Sequence, residues 1–175
     1  TSQDPIVQRM APKLVQSIAR AVSLTESTLA FGKAEEPSPN LRQVALAEVA
    51  HDVVESERLA AVGQAVDLVQ QVPTQFMIRA DAEQMFRIMS NLVRNARQAI
   101  VASGRAGVIT IAAHEAQAAW CIEVSDTGPG VPQVAQQNLF RPFQGSARTG
   151  GIGLGLAIAA ELVKGHGGTL TLQHT

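Results

Sequence analysis

The segment Met89-Ser90-Asn91-Leu92-Val93-Arg94-Asn95-Ala96 places two asparagines four residues apart within an apolar helix pattern that runs from Ala82 to Val101. Residues at i and i+4 lie on one face of a helix, so both amides can point at the same metal ion or phosphate. The apolar neighbours of Asn91 and Asn95 indicate that this face turns inward, towards a site. The alternative is that both amides only bond neighbouring backbone at a helix surface.

A first glycine-rich segment, Asp126-Thr127-Gly128-Pro129-Gly130, follows an alternating strand pattern. Asp126 ends that strand, which places its carboxylate at the sheet edge where a base could enter. An ionised aspartate can accept a hydrogen bond from an exocyclic amine, and this would distinguish adenine from guanine. A plain Asp-Thr-Gly-Pro-Gly turn is the competing interpretation.

A second glycine-rich segment, Gly151-Ile152-Gly153-Leu154-Gly155, leads directly into the apolar helix pattern that starts at Leu156. Glycines let the backbone come close to phosphates, and the free N–H groups of a helix start attract anions. A glycine triplet alone is weak evidence, because a flexible loop would use the same residues. Its position after the aspartate loop favours one nucleotide site, in which Asn95 could offer an oxygen to Mg²⁺.

Composition bounds the class of protein. The chain has 175 residues, 46% of them hydrophobic and 17% charged, with a formal net charge of −1. This length suits one domain plus an appendage, and the charge balance lacks the basic excess of a nucleic-acid binder, so we expect no nucleic-acid partner. The chain begins without Met and ends on a strand-like segment, which suggests a piece of a longer protein.

The single cysteine, Cys121, lies in an apolar, alternating run and is predicted to be a buried, reduced thiol. One cysteine excludes an internal disulfide framework and favours a cytosolic environment. No apolar run approaches the roughly 20 residues that a bilayer requires. We therefore expect a soluble, cytoplasmic region, which an upstream segment could anchor in the inner membrane.

The periodicities predict an α+β fold, a two-layer α/β sandwich with helices on one face of a mixed sheet, preceded by a long helix. Strict strand–helix alternation is missing, which argues against a Rossmann fold. Helices are predicted over Val44 to Leu59, Ala82 to Val101 and Ile152 to Lys164, and strands over Ala65 to Val72, Phe76 to Arg79, Val108 to Ala113, Trp120 to Ser125 and Thr169 to Leu172.

The N-terminal part reads as a separate unit. Apolar residues recur at helical spacing from Pro12 to Lys33, and the charged, proline-punctuated stretch Glu35 to Asn40 is typical of a linker. We place the boundary between a unit at residues 1–36 and a domain at residues 37–175. The helix must bury its stripe on its own domain or on another chain, as dimer helices do.

Taken together, these segments resemble the catalytic, ATP-binding domain of bacterial sensor histidine kinases, within the gyrase–chaperone–kinase–mismatch-repair ATPase superfamily. The resemblance covers nearly the whole chain. Four segments match the family's motifs in order: Asn91 to Ala99 the N box, Asp126 to Gly130 the first glycine box, Leu139 to Phe143 the F box, and Gly151 to Gly155 the second glycine box.

This resemblance implies ATP and Mg²⁺ as cofactors. It makes Asn95 the Mg²⁺ ligand, Asn91 a support of the phosphate and metal site, and Asp126 the reader of adenine, while Gly128 and Gly130 shape the base pocket. The phosphates would lie at the second glycine segment, against Gly151, Gly153, Leu154 and Gly155. Gln144 to Gly150 resembles a very short ATP lid, in which Arg148 is either a phosphate ligand or a solvated loop arginine.

One position separates kinase from hydrolase in this resemblance. The gyrase-like branch carries a glutamate, the general base for water, four residues before the metal asparagine, and this chain has Asn91 there. An amide cannot take that proton. The resemblance therefore implies a histidine kinase of a two-component system that phosphorylates a histidine and then a response-regulator aspartate, and that forms a homodimer through its N-terminal helix.

The phospho-acceptor histidine is expected upstream of this chain, with Pro12 to Lys33 as the second helix of a dimerisation hairpin. His51-Asp52 imitates the acceptor motif, but it lies inside the domain pattern, and a helix-face histidine is the simpler interpretation. His114, His166 and His174 lack metal-ligand spacing along the chain and receive no role. The alternatives are an anti-sigma-type serine kinase and a degenerate scaffold that no longer binds ATP.

Overall fold

The computed structural model describes residues 37–116, 119–143 and 153–173, all within the second of the chain's two units, Pro37–Thr175. The predicted N-terminal helix, the predicted lid, Arg148 and Gly151 lie outside the described residues. Among the described helices, none is long and apolar enough to cross a membrane.

The described residues form five strands and four helices. In chain order they are β1 (Arg42–Ala45), α1 (Leu46–Ala60), β2 (Val66–Gln71), β3 (Met77–Ala80), α2 (Ala82–Ser103), β4 (Gly107–Ala116), β5 (Ala119–Asp126), α3 (Gln133–Gln136) and α4 (Gly155–Gly165). Strand β1 pairs antiparallel with β3, and β4 lies between a parallel β2 and an antiparallel β5. The predicted α+β fold with a mixed sheet is confirmed.

Two predicted elements differ from the structure. The helix expected from Val44 begins at Leu46, because Val44 pairs with Ile78 in β1 and β3 and Ala45 pairs with Met77. Thr169 to Leu172 was expected to be a strand, and this is wrong: it forms no ladder in the described sheets. An alternating pattern supplies a strand-like face, whereas a strand also needs a partner that the pattern does not name.

Helix α2 lies at the centre of the hydrophobic core. It contacts α1, α4 and all three strands of the larger sheet. Asp81 caps its start by accepting a hydrogen bond from Gln84 N at 3.1 Å, and Gly104 ends it in the left-handed conformation. The largest fully buried side chains of the domain are Leu46, Val53, Met89, Val93, Ile100, Ile109, Ile111, Leu154 and Leu162.

A partly buried ion pair joins α1 to α2. Arg97 Nε donates to Glu57 Oε2 at 2.9 Å, and the two side chains are only 14% and 9% exposed. The same guanidinium reaches Gln64 Oε1 at 3.2 Å. Removing one partner of such a pair leaves a charge that water cannot fully solvate, so substitution of either residue alone is expected to destabilise the packing of α1 on α2.

Asp81 also forms hydrogen bonds with residues at the start of the domain and at the end of α4. Its second carboxylate oxygen accepts from Asn40 N at 2.9 Å, and its backbone N–H donates to His166 Nε2 at 3.1 Å. The side chain of Gln84 donates to the carbonyl of Pro37 at 2.9 Å. Residues 37–40, the start of α2 and the end of α4 therefore share one hydrogen-bond network, which gives His166 a structural role.

Asp81 is expected to make this network sensitive to acid. The backbone N–H groups of Gln84 and Asn40 hold the pKa of Asp81 below its ordinary value. A carboxyl whose pKa is depressed on folding stabilises the protein above its unfolded pKa of about 3.9, and this contribution is lost as pH falls through the folded pKa. Asp81→Asn should therefore weaken the dependence of the unfolding free energy on pH below about 4.

Urea denaturation of wild type and Asp81→Asn between neutral pH and pH 3 would measure this dependence. Asp67→Asn is the matched control, because Asp67 is an exposed aspartate on β2 and should leave the acid profile as in wild type. An identical loss of stability with acid in wild type and Asp81→Asn would contradict the role of Asp81.

Candidate functional site

The two asparagines of α2 lie at its surface. Asn91 is half-buried and Asn95 is exposed, while their neighbours Val93 and Ala96 are buried. Asn91 Oδ1 accepts a long hydrogen bond of 3.4 Å from Arg94. The core therefore takes the apolar residues of this segment and leaves both amides available at the edge of α2.

The first glycine segment forms a closed turn at the end of β5. Thr127 and Val108 form two hydrogen bonds: Thr127 N–H donates to the carbonyl of Val108 at 3.1 Å, and Val108 N–H donates to Thr127 Oγ1 at 2.9 Å. Asp126 lies opposite Ile109 in the β4–β5 register, on the buried face of the sheet, yet its side chain is exposed. Thr127 thus anchors the turn and leaves the Asp126 carboxylate at the open edge.

Gly128 holds that carboxylate in position. Gly128 N donates to Asp126 Oδ1 at 2.8 Å, and a Cβ added at Gly128 would come within 2.6 Å of the same oxygen. Only glycine permits this close approach. Gly130 completes the turn with φ at 75°, in the left-handed region.

The second glycine segment meets the asparagine helix. Leu154 is 2% exposed and anchors the start of α4 in the core. A Cβ added to Gly155 would lie 3.4 Å from Asn91 Oδ1, so the first turn of α4 passes directly beside this amide. Among the described residues no side chain caps α4, which leaves N–H groups of its first turn without a capping partner.

The F-box segment is joined to the second glycine segment. Phe143 N donates to the carbonyl of Gly153 at 3.1 Å, and both residues have left-handed backbone, with φ at 62° and 74°. The described residues on either side of positions 144–152 are therefore held together at this point. A left-handed Phe is uncommon, and the hydrogen bond to Gly153 helps to hold it there.

Both glycine segments converge on α2. The second lies against Asn91, and the first lies near Ile100, whose Cγ1 is 3.4 Å from a Cβ added at Gly128. Ile100 follows Asn91 by nine positions of the helix, about 13 to 14 Å along the axis. An extended nucleoside triphosphate spans such a length, with a carboxylate at one end and a helix start at the other.

Comparison with known proteins places this geometry in a family. Residues 80–175 match the family model described as Histidine kinase-, DNA gyrase B-, and HSP90-like ATPase. The chain belongs to this family. It therefore carries the ATP-binding domain that the resemblance of the four boxes implied.

Relatives extend the similarity beyond that region. The chain is 30% identical to sensor histidine kinase RppB of Synechocystis sp., over 99% of this chain and 39% of the relative. It is 29% identical to the probable sensor histidine kinase TcrY of Mycobacterium tuberculosis, over 92% of this chain and 34% of that protein. The chain thus spans between a third and two fifths of the length of these relatives.

Solved structures share the fold. A structure of full-length ShkA in complex with AMPPNP matches with a TM-score of 0.74 and 26% identity, over 99% of this chain and 38% of that one. ThkA in complex with the response regulator protein TrrA matches with a TM-score of 0.72, over 96% of this chain and 47% of that one. At 20% identity the second likeness concerns the fold alone.

Gly128→Ala should weaken ATP binding without unfolding the domain. The added methyl group would displace the Asp126 carboxylate, which is exposed and can swing aside, so the unfolding free energy should change by less than about 1 kcal/mol. Calorimetric titration with Mg-ATP and thermal denaturation would measure the two effects. Gly165→Ala, where the Cβ would meet only Pro39 at 3.8 Å, is the control. Unchanged ATP affinity in Gly128→Ala would contradict this role of Gly128.

Proposed function

We propose that this chain is the ATP-binding and catalytic part of a sensor histidine kinase of a two-component system. It transfers the γ-phosphoryl group of Mg-ATP to a histidine upstream of these residues and onward to a response-regulator aspartate. The observation that carries this proposal is the contact of Asn91, at the position of the hydrolase glutamate, with the start of α4, which no described side chain caps. Membership of the family and the names of the relatives support it.

Asp126 recognises adenine in this proposal. Its exposed carboxylate accepts a hydrogen bond from the exocyclic amine at the open edge of the sheet. Gly128 N–H donates to one of the carboxylate oxygens, Oδ1, at 2.8 Å. The other oxygen stays available for the base. Gly128 and Gly130 add no side chain at their positions in the turn, so that the base can lie against the backbone there.

The start of α4 holds the phosphates. Backbone N–H groups of Gly153, Leu154 and Gly155 lie at a helix start that no described side chain caps, where the helix dipole favours negative charge. Gly151 and Arg148 lie outside the described residues; in this proposal they supply a further backbone donor and a guanidinium to the phosphates.

Asn95 is the residue that would hold Mg²⁺. Its exposed side chain offers one neutral oxygen, a donor set that fits Mg²⁺ shared with phosphates and water and would not hold the ion alone. When bound, the ion neutralises phosphate charge during transfer. Asn91, half-buried beside Gly155, supports the site and has no basic atom that could take a proton from water.

The site therefore keeps ATP intact until a nucleophile arrives from elsewhere. A general base raises the rate of a reaction with water by about 10²- to 10⁴-fold, and the amide of Asn91 cannot provide this acceleration. Positioning then decides transfer. The proposal also includes the unit at residues 1–36, with a dimer formed through the helix Pro12 to Lys33, and a cytoplasmic location. Its partners are the upstream acceptor histidine and the receiver domain of a response regulator.

Loss of the adenine contact is the first test of the site. Asp126→Asn replaces an ionised acceptor by an amide and should weaken Mg-ATP binding roughly ten- to hundredfold. Asn95→Ala should abolish the Mg²⁺ dependence of binding. Calorimetric titrations with and without Mg²⁺ measure both effects, with Asp67→Asn as the exposed aspartate control. Wild-type affinity in both variants would contradict the assigned roles.

Transfer distinguishes a kinase from a hydrolase. The full-length protein that contains this chain, incubated with ATP labelled at the γ-phosphate, should acquire an acid-labile, base-stable phosphohistidine and release little free phosphate. Asn95→Ala should abolish this label. Addition of a receiver domain should discharge it. Rapid release of phosphate without a protein label would indicate a hydrolase, and an acid-stable label would indicate a serine kinase.

A further inference from the structure

The larger sheet has one face that the described helices do not bury. Ile109, Ile111 and Ala113 of β4 point into the core, at most 6% exposed. Because side chains alternate along a strand, Thr110, Ala112 and His114 point to the opposite face. All three are half-buried or exposed. Polar and ionisable side chains on this open face are therefore within reach of solutes.

Cys121 lies on this open face. It pairs with His114 in the β4–β5 register, and directly paired residues share a face. The prediction of a buried thiol is wrong to this extent: Cys121 is half-buried and points away from the core. Burial and the nearby charge of Glu123 raise the pKa of its thiol.

Three different ligand-type side chains meet at this point. Glu123 lies two residues after Cys121 on β5, so it shares the same face. Cys121 Sγ is 3.8 Å from Glu123 Oε1, and His114 Nε2 is 4.0 Å from the same oxygen. All three ligand atoms lie within 4.8 Å of one another. The β4–β5 register holds this set together, because it places His114 directly opposite Cys121.

We propose that His114, Cys121 and Glu123 form a binding site for a divalent transition-metal ion, with Zn²⁺ the best match. Tetrahedral zinc with ligand distances of about 2.0 to 2.3 Å separates its ligand atoms by roughly 3.3 to 3.8 Å. The widest separation, 4.8 Å, would have to shorten by about 1 to 1.5 Å. His114 and Glu123, each about half exposed, are free to turn by that amount.

The chemistry of the three ligands selects the ion. Thiolate, imidazole and carboxylate suit zinc, whereas Mg²⁺ prefers oxygen ligands and an octahedral shell. Binding releases the Cys121 thiol proton to solvent, and the resulting thiolate and carboxylate together balance the charge of the ion. Three protein ligands leave the fourth position open to water, and the ion would join β4 to β5 near the end of their hairpin.

This site is separate from the nucleotide site. Cys121 precedes Asp126 by five residues, roughly 17 Å along an extended strand. Asp126 also lies on the other face, opposite Ile109. Failure of zinc binding would therefore leave the ATP proposal untouched, and failure of ATP binding would leave the zinc proposal untouched.

Cys121 is the single cysteine of the chain, so thiol modification reports on this site alone. We expect micromolar Zn²⁺ to slow alkylation of Cys121 by iodoacetamide at least tenfold in the 175-residue chain, measured by mass spectrometry. Mg²⁺ should have no effect. His114→Gln and Glu123→Gln should lose the protection, whereas His51→Gln and Glu115→Gln, exposed residues outside the site, should retain it.

Cobalt provides a second readout. Co²⁺ in place of Zn²⁺ should give a thiolate-to-cobalt charge-transfer band in the near ultraviolet, absent from Cys121→Ser and weakened in His114→Gln and Glu123→Gln. The proposal is overturned if Zn²⁺ leaves the alkylation rate unchanged. It is equally overturned if Zn²⁺ protects the His114 and Glu123 variants as well as wild type, since the thiol would then bind the ion alone.

Discussion

The arrangement of this domain depends on one helix that must satisfy two demands. Helix α2 buries Met89, Val93 and Ile100 at 0 to 1% exposure between the sheet and α4. The same turns leave Asn91 and Asn95 at the edge. Burial of such side chains contributes about 1.5 to 3 kcal/mol each, so the position of the asparagines is set by the core rather than by their own contacts. Both glycine segments then approach a helix that is already fixed.

Much of this fold can be predicted from local patterns. Helix α2 begins at Ala82, as the recurring apolar residues predict, and the structure adds that Asp81 caps it. Strands β2, β4 and β5 also lie where alternation places them, within a few residues. Strand β1 could not be found this way. Four residues carry little periodicity, and the strand exists because β3 pairs with it from a distant part of the chain.

The site shows the same division. The types and order of Asn95, Asp126 and the glycines could be interpreted from sequence, because their chemistry is carried by individual residues. Contacts between residues of different helices and strands could not be predicted in this way. The approach of Gly155 to Asn91, the Arg97–Glu57 pair and the meeting of His114 with Cys121 each depend on packing or strand register. The spacing of residues along the chain indicated no metal-ligand partner for His114, whereas the strand register places Cys121 directly opposite it.

The central claim is that both glycine segments bind one nucleotide across α2. The most direct measurement is a nuclear magnetic resonance titration of the assigned 175-residue chain with Mg-ATP, following backbone amides. We expect the amides of Gly128 and Gly130 and those of Gly153 and Gly155 to shift together with one dissociation constant, along with Asn91 and Asn95. Shifts confined to one glycine segment, or different constants for the two, would contradict it.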